Sequence, residues 1–136
     1  MSSTKLPLLI EYYDVILVQQ RSPIALGWWT DDAVVHFPGN NPFSGRHVGV
    51  SWVMNTYFPT IRKLADIRKE VLLSPLVADA EYGLSHYTER ITIHATGEEL
   101  AMRRRALYRF DGNRIAEVRV FDEDSENIDR FLNRFW

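Results

Sequence analysis

The sequence predicts an α+β domain in which N-terminal helices pack on the concave face of a cone-shaped antiparallel sheet that is strongly curved and has a mixed edge. Two observations carry this prediction. Apolar residues follow a helical period through much of the first 64 positions, whereas the segment from His86 to Asp124 alternates in polarity as three strands would. Turn residues separate these strands, most clearly Asp111-Gly112-Asn113, which accept positive φ. Such a cone leaves a wide mouth that suits a ligand pocket.

Two helices are expected before residue 30. Thr4 is a suitable N-cap with Pro7 in the first turn, and Ser22 followed by Pro23 is the same signal for a short second helix that ends near residues 28–29. The first helix has one stripe at helical spacing, apolar except at its last position and typical of a helix packed on a core. Its members are Leu6, Leu9, Ile10, Tyr13, Ile16, Leu17 and Gln20.

The middle of the chain mixes strand and helix. Residues 33–38 (AVVHFP) read as a strand, and residues 39–45 as a loop rich in glycine and asparagine. A third helix is predicted from about Val48 to Leu64, and Pro59 should bend or end it because proline removes a backbone donor. A strand over residues 67–73 then stops at Ser74-Pro75.

The strands that follow form a meander with a predictable register. If Gly112 and Asn113 form the second turn, Arg103 faces Asp122, and a first turn around residues 96–99 puts Thr92 beside Arg103. One face then holds Thr88, Arg90, Thr92, Arg103, Arg105, Leu107, Val118, Val120 and Asp122. The other holds Tyr87, Ile91, Ile93, Met102, Arg104, Ala106, Tyr108, Phe110, Ile115 and Phe121. A closing helix is predicted from the helical spacing of Ile128, Phe131, Leu132 and Phe135.

Composition excludes several classes of function. The 136 residues contain no cysteine, which rules out thiolate nucleophiles and cysteine-ligated zinc. Net charge is −2 and the basic run 103–105 divides between two strand faces, so we expect no nucleic-acid partner. No run approaches the roughly 20 apolar residues of a membrane span, and acidic residues come too early for a secretory signal, so we expect a cytoplasmic protein without a membrane partner. No motif indicates a metal or a cofactor.

Three stretches resemble the nuclear transport factor 2-like superfamily, and within it the SnoaL-like and ketosteroid isomerase-like proteins. They are DDAVVHFPGNNPFSGRHVG, similar to the family's first strand and glycine loop; ATGEEL, similar to its hairpin; and YRFDGNRIAEVRVFDED, similar to its final hairpin and exit acid. The resemblance implies a cystatin-like roll that spans residues 1–136 as a single domain. It is a poor guide to activity, because the family contains isomerases, polyketide cyclases, epoxide hydrolases, dehydratases and proteins with no known reaction.

The isomerase pattern suggests a catalytic set. Its aspartate lies six residues before the proline of a Pro-x-Ser-Gly loop, and the same spacing before Pro42 gives His36 here. A neutral imidazole can serve as a general base, with Asp122 to orient it and Arg90 to stabilise an enolate-like oxygen. The alternatives are a histidine held by hydrogen bonds in the core and an ion pair of Asp122 with Arg103 at the rim.

The epoxide hydrolase pattern fits poorly. Residues 88–92 (TERIT) keep its arginine but replace its acid with Thr92, and Val120 takes the place of the second acid, so no water-activating pair is expected. The match does suggest that Arg90, and with it one whole face of the meander, points into the cone. The residues expected to contact substrate are Trp28, Trp52, Tyr57, Thr92, Arg103, Arg105, Val118 and Val120.

Two hypotheses for function remain open. The first is a cofactor-independent enzyme of the isomerase, cyclase or dehydratase type that moves a proton on a small hydrophobic carbonyl compound. The second is a non-catalytic domain that binds a hydrophobic ligand or serves to dimerise. In either case, the outer sheet face is expected to form a homodimer.

Overall fold

A curled sheet of seven strands forms the body of the molecule. The computed structural model describes residues 5, 7, 9, 29–71 and 77–136. The strands are β1 (Trp29–Phe37), β2 (Gly45–Val48), β3 (Ala65–Val71), β4 (Val77–Ala78), β5 (Tyr82–Ile93), β6 (Glu99–Asp111) and β7 (Arg114–Asp122). Their order is β2-β1-β7-β6-β5-β3, with β4 also paired to β5. The pair β1 and β7 is parallel and the other pairs are antiparallel, so the predicted α+β class and the meander of β5, β6 and β7 are confirmed.

The hairpin of β6 and β7 contains a β-bulge that the predicted register lacked. Phe110 pairs with Ile115 as predicted, but Arg109 pairs with Glu117, which leaves Ala116 as an extra residue. Beyond the bulge, Arg104 and not Arg103 lies opposite Asp122. One extra residue moves every following side chain to the other face. The predicted face was therefore wrong for Val118, Val120, Phe121 and Asp122.

The strands β5 and β6 pair with an offset that differs from the prediction, but their side chains lie on the predicted faces. Thr92 pairs with Glu99 instead of Arg103, and Arg103 pairs with Thr88. The offset from the prediction is an even number of residues, and an even shift leaves each side chain on its own face. The side chains of Tyr87, Met102 and Arg104 consequently share one face, and that face is the buried one.

The predicted third helix is present in three short segments. They are α1 (Val50–Trp52), a π-helical turn (Val53–Tyr57) and α2 (Phe58–Arg62). The wide turn is closed by the Phe58 N–H, which donates to the Val53 carbonyl. Pro59 lies in the first turn of α2, where its missing N–H costs little, so the helical conformation continues past it to Arg62. The π-helical turn comes directly before this proline, and such turns are frequent at functional sites.

The closing helix α3 (Ser125–Phe135) is confirmed. Asp124 caps it by accepting a hydrogen bond from the Asn127 N–H. Ile128 and Leu132 are buried against the sheet, and the indole N–H of Trp136 donates to the Thr60 carbonyl at 3.0 Å. The helix thus covers one end of the concave face.

Two apolar clusters fill the concave side. The β1-side core consists of Leu9, Trp29, Ala33, Val35, Tyr87, Ala106, Tyr108, Phe110, Ile115, Val118 and Val120. The α3-side core consists of Phe43, Tyr57, Phe58, Ile61, Ala65, Ile91, Ile93, Leu100, Met102, Ile128 and Leu132. Phe37 and Val53 contact both clusters. The two helices predicted before residue 30, and Trp28 with them, fall almost wholly outside the described residues.

Among the described residues no helix is long and apolar enough to span a membrane.

Candidate functional site

A set of buried polar side chains lies at the seam between the two cores. Tyr57, Glu89, Arg104 and Asp122 form it, and we refer to them as the Arg104 network. Their side chains are nearly inaccessible to water: the exposed fractions are 2% for Arg104, 1% for Glu89 and 1% for Asp122. Charged residues are seldom this deeply buried unless they pair with each other. The network is therefore the strongest candidate site in the described part of the chain.

The guanidinium of Arg104 joins the other three members. Its Nε donates to Asp122 Oδ1 at 2.9 Å, and its Nη1 donates to Glu89 Oε1 at 3.0 Å and to the Tyr57 hydroxyl at 3.1 Å. The Tyr57 hydroxyl in turn donates to Glu89 Oε2 at 3.1 Å. Nη2 makes none of these bonds. One arginine thus holds two carboxylates, and a tyrosine closes the ring on one side.

Each member is placed by a different element. Arg104 is on β6 between Met102 of the α3-side core and Ala106 of the β1-side core, and Glu89 points to the same face from β5. The bulge at Ala116 turns Asp122 of β7 towards Arg104. Tyr57, the last residue of the π-helical turn, reaches down from above the sheet.

Aromatic rings form a wall beside the network. The Phe37 ring stacks on Tyr57 with centroids 4.9 Å apart, and the guanidinium carbon of Arg104 lies 5.3 Å from the Phe37 centroid. Trp52 packs on Phe37, and His47 stacks on Trp52 at 3.5 Å between nearly parallel rings. The cation over Phe37 is stabilised by the ring's electron-rich face. In this wall the Tyr57 side chain is buried, and Phe37 and Trp52 are half-buried.

Burial and mutual attraction set the protonation of the network. Burial raises the pKa of Asp122, and the attraction of Arg104 only partly offsets this. Burial also raises the pKa of Tyr57, as does the nearby Glu89, so the phenol stays protonated. For Arg104, burial opposes the charge, but Tyr57, Glu89 and Asp122 together raise its pKa well above the usual value. The site therefore offers a permanent cation, a neutral hydroxyl and a carboxylate made more basic by its surroundings.

His36 lies on the opposite face of the sheet from the network. The alternation of β1 points Ala33 and Val35 into the core and His36 outwards, where its side chain is 21% exposed. Its Nε2 is 3.3 Å from Glu117 Oε2. The structure does not bring His36 together with Asp122, and the spacing to Pro42 that selected it does not report which face it occupies.

The arginines expected in the cone are also outside it. Arg90 is on the convex face, where it pairs with Glu99 at 3.1 Å, and Arg103 and Arg105 are exposed on the same face. Thr92 lies on that face as well. The suggestion that this face lines the cone was wrong, because it started from Arg90 on β5, and the buried face of β5 and β6 is the opposite one, which holds Glu89 and Arg104.

Other predicted site residues do face inwards. Trp52, Tyr57, Val118 and Val120 belong to the two cores or pack on them, and Asp122 is bonded to Arg104. The sequence reasoning did not select Glu89 or Arg104. A signal for both was present, since Glu89 and Arg104 are charged residues that alternate onto the otherwise apolar face of Tyr87, Met102 and Ala106.

Within the described residues no group of three or more His, Asp or Glu side chains is arranged to hold a metal ion.

Comparison with known proteins agrees with this architecture. The family model of the SnoaL-like domain matches residues 9–118. The chain belongs to this family. Tyr57, Glu89 and Arg104 fall inside the matched range, whereas Asp122 and α3 lie beyond it. Among curated proteins, no relative matches the chain.

Solved structures of the same fold are distant in sequence. Bal32a, from a soil-derived mobile gene cassette, has a TM-score of 0.76 and 13% identity over 94% of this chain and 96% of its own. An NTF2-like protein of unknown function from Burkholderia pseudomallei has a TM-score of 0.74 and 16% identity over 94% of this chain and 96% of its own. A putative SnoaL-like polyketide cyclase from Mesorhizobium loti has a TM-score of 0.67 and 14% identity over 85% of this chain and 96% of its own. These likenesses show the fold, which is the SnoaL-like and NTF2-like fold that the sequence resemblance predicted.

Proposed function

We propose that this SnoaL-like domain binds a small hydrophobic carbonyl compound beside the Arg104 network and moves a proton on it without a cofactor. The observation that carries this proposal is the pairing of a buried, basic carboxylate with a buried arginine beside an aromatic wall. Asp122 replaces His36 as the proposed base, and Arg104 replaces Arg90 as the proposed stabilising cation. Isomerisation and cyclisation both begin with such a proton transfer.

The proposed step is balanced within the site. A proton on the carbon next to the carbonyl passes to the Asp122 carboxylate, the C–H electron pair forms the enolate double bond, and the carbonyl oxygen becomes negative. Arg104 Nη2 is a donor that the network does not use, and a donor directed at this oxygen would stabilise it. The resulting Asp122 carboxylic acid returns the proton to carbon. Tyr57 and Glu89 hold the guanidinium in place throughout.

Exchange of ketone protons with solvent tests this proposal. In deuterated buffer, cyclic ketones and aromatic polyketide mimics should exchange the hydrogens next to the carbonyl faster with the protein than without it, as followed by NMR. Asp122→Asn should slow this exchange by about 10²–10⁴-fold, the usual contribution of a positioned acid or base. Glu117→Gln, the same kind of change on the convex face, is the matched control, and His36→Asn should also leave exchange unchanged. Failure of every compound to exchange would reject the proposal.

The alternative function is a non-catalytic binding domain. The deep burial of the network favours it, because a set of side chains bonded mainly to each other also serves as a structural core. In that case ligands would shift resonances of Trp52 or Phe37 without any proton exchange. The same NMR experiment separates the two functions.

The convex face is our proposed homodimer interface. Phe121 is 51% exposed there and lies opposite Arg105, and Leu84 and Leu107 lie opposite each other on neighbouring strands. Aromatic residues and arginine are enriched in such interfaces. Sedimentation should show a dimer that Phe121→Glu dissociates. Leu64→Glu, at an exposed apolar residue away from this face, should not dissociate it, and a monomeric wild-type protein would contradict the proposal.

A further inference from the structure

His47 differs from the other histidines in the side of the sheet on which it lies. All four histidines are in the described part of the chain, and His47 alone is on the concave side. It pairs with Val35 of the β1-side core, and residues directly opposite each other in a ladder share a face. His36 and His86 point to the convex face, and His94 is exposed in the turn after β5. The half-buried ring of His47 is thus the imidazole on the side of the candidate site.

The aromatic wall connects His47 to the Arg104 network. The His47 ring stacks on Trp52, and its centroid is 6.4 Å from that of Phe37. The guanidinium carbon of Arg104 is 5.3 Å from the same Phe37 centroid. Phe37 and Trp52 are half-buried, so part of each residue remains accessible. A two-ring compound that lies against Phe37 is long enough to meet both the guanidinium and the imidazole.

One hydrogen bond fixes the position of the proton on the His47 ring. Its Nε2 lies 2.9 Å from the Phe43 carbonyl oxygen. A carbonyl oxygen can only accept, so Nε2 carries the proton and donates it. In the neutral imidazole the other nitrogen, Nδ1, is then an acceptor with a lone pair. Nδ1 is hydrogen-bonded to none of the described residues. The ring therefore offers a ligand an acceptor and not a donor.

The Phe43 carbonyl is itself held in place by a tight loop. The Phe43 side chain is buried in the α3-side core, and the Phe43 N–H donates to Asn41 Oδ1 at 2.9 Å. Ser44 Oγ donates to the Pro38 carbonyl at 2.9 Å and accepts from the Asn41 N–H at 3.0 Å. Rotation of the Phe43 carbonyl away from the imidazole would strain these contacts. The same nitrogen of His47 consequently stays protonated when a ligand arrives.

We propose that Nδ1 of His47 accepts a hydrogen bond from a hydroxyl group of the substrate, at the end remote from the reacting carbonyl. The substrate class is then hydroxylated ring ketones, because a hydrocarbon in that place would leave the imidazole acceptor without a bond. This rests on the proposed function, which places the carbonyl at Arg104, and it deepens that function by naming the substrate class. His47 determines specificity and takes no part in the proton transfer at carbon.

A pair of matched ketones tests the hydrogen bond. 6-Hydroxy-2-tetralone and 6-methyl-2-tetralone differ only in a hydroxyl or a methyl group at the end opposite the carbonyl. Their dissociation constants are measured by NMR titration at pH 7.5, where imidazole and phenol groups with ordinary pKa values are mainly neutral. His47→Phe keeps a ring against Trp52 but has no acceptor. The preference for the hydroxyl over the methyl compound should fall about fivefold in this variant, as expected for the loss of one hydrogen bond.

The change in preference cancels the difference in hydration between the two probes, because the same pair is compared in both proteins. His94→Phe, the same substitution at an exposed histidine after β5, is the matched control and should leave the preference unchanged. Thermal melts check that each variant is folded.

Nitrogen-15 NMR of the wild-type imidazole is a second measurement that needs no variant. Nε2 should be protonated and Nδ1 unprotonated in the free protein at pH 7.5. The hydroxyl compound should shift the His47 Nδ1 resonance, and the methyl compound should leave it nearly unchanged. A proton on Nδ1 in the neutral ring, or equal shifts with both compounds, would overturn the inference even if His47→Phe does not fold.

The outcomes separate this inference from the proposed function. If ketones exchange their protons but the hydroxyl preference is the same in wild type and His47→Phe, the inference is wrong and the proposed function stands. If the preference depends on His47 but no ketone exchanges, the hydroxyl site is supported and the domain binds without catalysis. If neither tetralone binds, the inference fails, and exchange of the other ketones decides the proposed function on its own.

Discussion

Replacement of Arg104 by methionine is the most severe test of the buried network. The change keeps much of the side-chain length but removes the cation that pairs with both Glu89 and Asp122. Two carboxylates would then share a site that is nearly closed to water, and the Tyr57 hydroxyl would lose its donor from Nη1. We expect Arg104→Met to be strongly destabilised.

The burial of the pairs sets the size of the effect. Removal of one partner from a buried ion pair costs about 3–5 kcal/mol, against a total stability of about 5–15 kcal/mol for a typical domain. In a domain of this length each kcal/mol lowers the melting temperature by about 3–5 °C, so a drop of about 10–20 °C is expected. Arg103→Met, a change at the exposed neighbour on the convex face, should lower it by less than about 3 °C.

The loss of stability caused by Arg104→Met should also depend on pH. Arg104 lowers the pKa of Asp122, so its loss allows burial to raise that pKa further above the unfolded value. A carboxyl whose pKa is raised in the folded state favours folding when protonated and loses that stability as pH rises through the folded pKa. Relative to wild type, the variant should therefore lose more stability at pH 8 than at pH 5. The triple variant Arg104→Met, Glu89→Gln, Asp122→Asn should recover part of the loss, because it removes the charges of both carboxylates together with that of their arginine.

Calorimetric or circular dichroism melts across this pH range measure both effects. A melting temperature for Arg104→Met within about 3 °C of wild type, or a deficit that shrinks as pH rises, would show that Arg104 does not hold two buried carboxylates.

Three further changes probe other parts of the site and its supports. Tyr57→Phe removes the hydrogen bonds of the hydroxyl with Arg104 Nη1 and Glu89 Oε2 and should cost about 1–3 kcal/mol in a denaturant titration. A variant as stable as wild type would contradict the role of the hydroxyl in the Arg104 network. Burial raises the pKa of Asp122 above its ordinary value of 3.8, so protonation of this carboxyl adds stability to the folded state as pH falls from the raised pKa to 3.8. Asp122→Asn removes this contribution and should flatten the curve of stability against pH in that range. Melts between pH 3 and pH 7 measure the change. Gly39→Ala places a Cβ into the Asp129 carboxylate, which holds the neighbouring loop by two hydrogen bonds. Gly97 has a similar positive φ but open space around it, so Gly97→Ala is the control. Gly39→Ala should lower the free energy of unfolding by about 1–3 kcal/mol more than Gly97→Ala.

Local pattern was sufficient to predict much of the fold. The meander, the closing helix and the faces of β5 and β6 follow from alternation and turn residues, which are properties of neighbouring positions. The offset between β5 and β6 was wrong, yet the faces survived because only odd shifts exchange them. The β-bulge at Ala116 was not foreseen: no glycine or proline marks it, and its signal is a change of phase in the apolar residues, which stand at Ile115 and then at Val118 and Val120.

The site was harder to predict for the same reason. Asp122 was selected correctly as a candidate, but its partner was misassigned because the bulge changes its face. His36 was chosen from its distance along the chain to a proline, although the apolar neighbours Ala33 and Val35 already indicated that it points outwards. Spacing within a motif does not report the face of a strand. Alternation does, and it would have placed Arg104 inside.

The bulge leads to an asymmetric prediction for single-residue changes in β7. Ala116 is the extra residue between the pairs Phe110 with Ile115 and Arg109 with Glu117, so its deletion leaves a regular ladder in which Asp122 still faces Arg104. An alanine inserted after Ala116 would need a second extra residue to be absorbed, or would turn Val118, Val120 and Asp122 outwards. We expect the deletion to fold with a loss of about 1–2 kcal/mol and the insertion to lose cooperative unfolding, as measured by melts and near-ultraviolet circular dichroism. An unfolded deletion variant beside a stable insertion variant would mean that β7 reaches Arg104 through a different register.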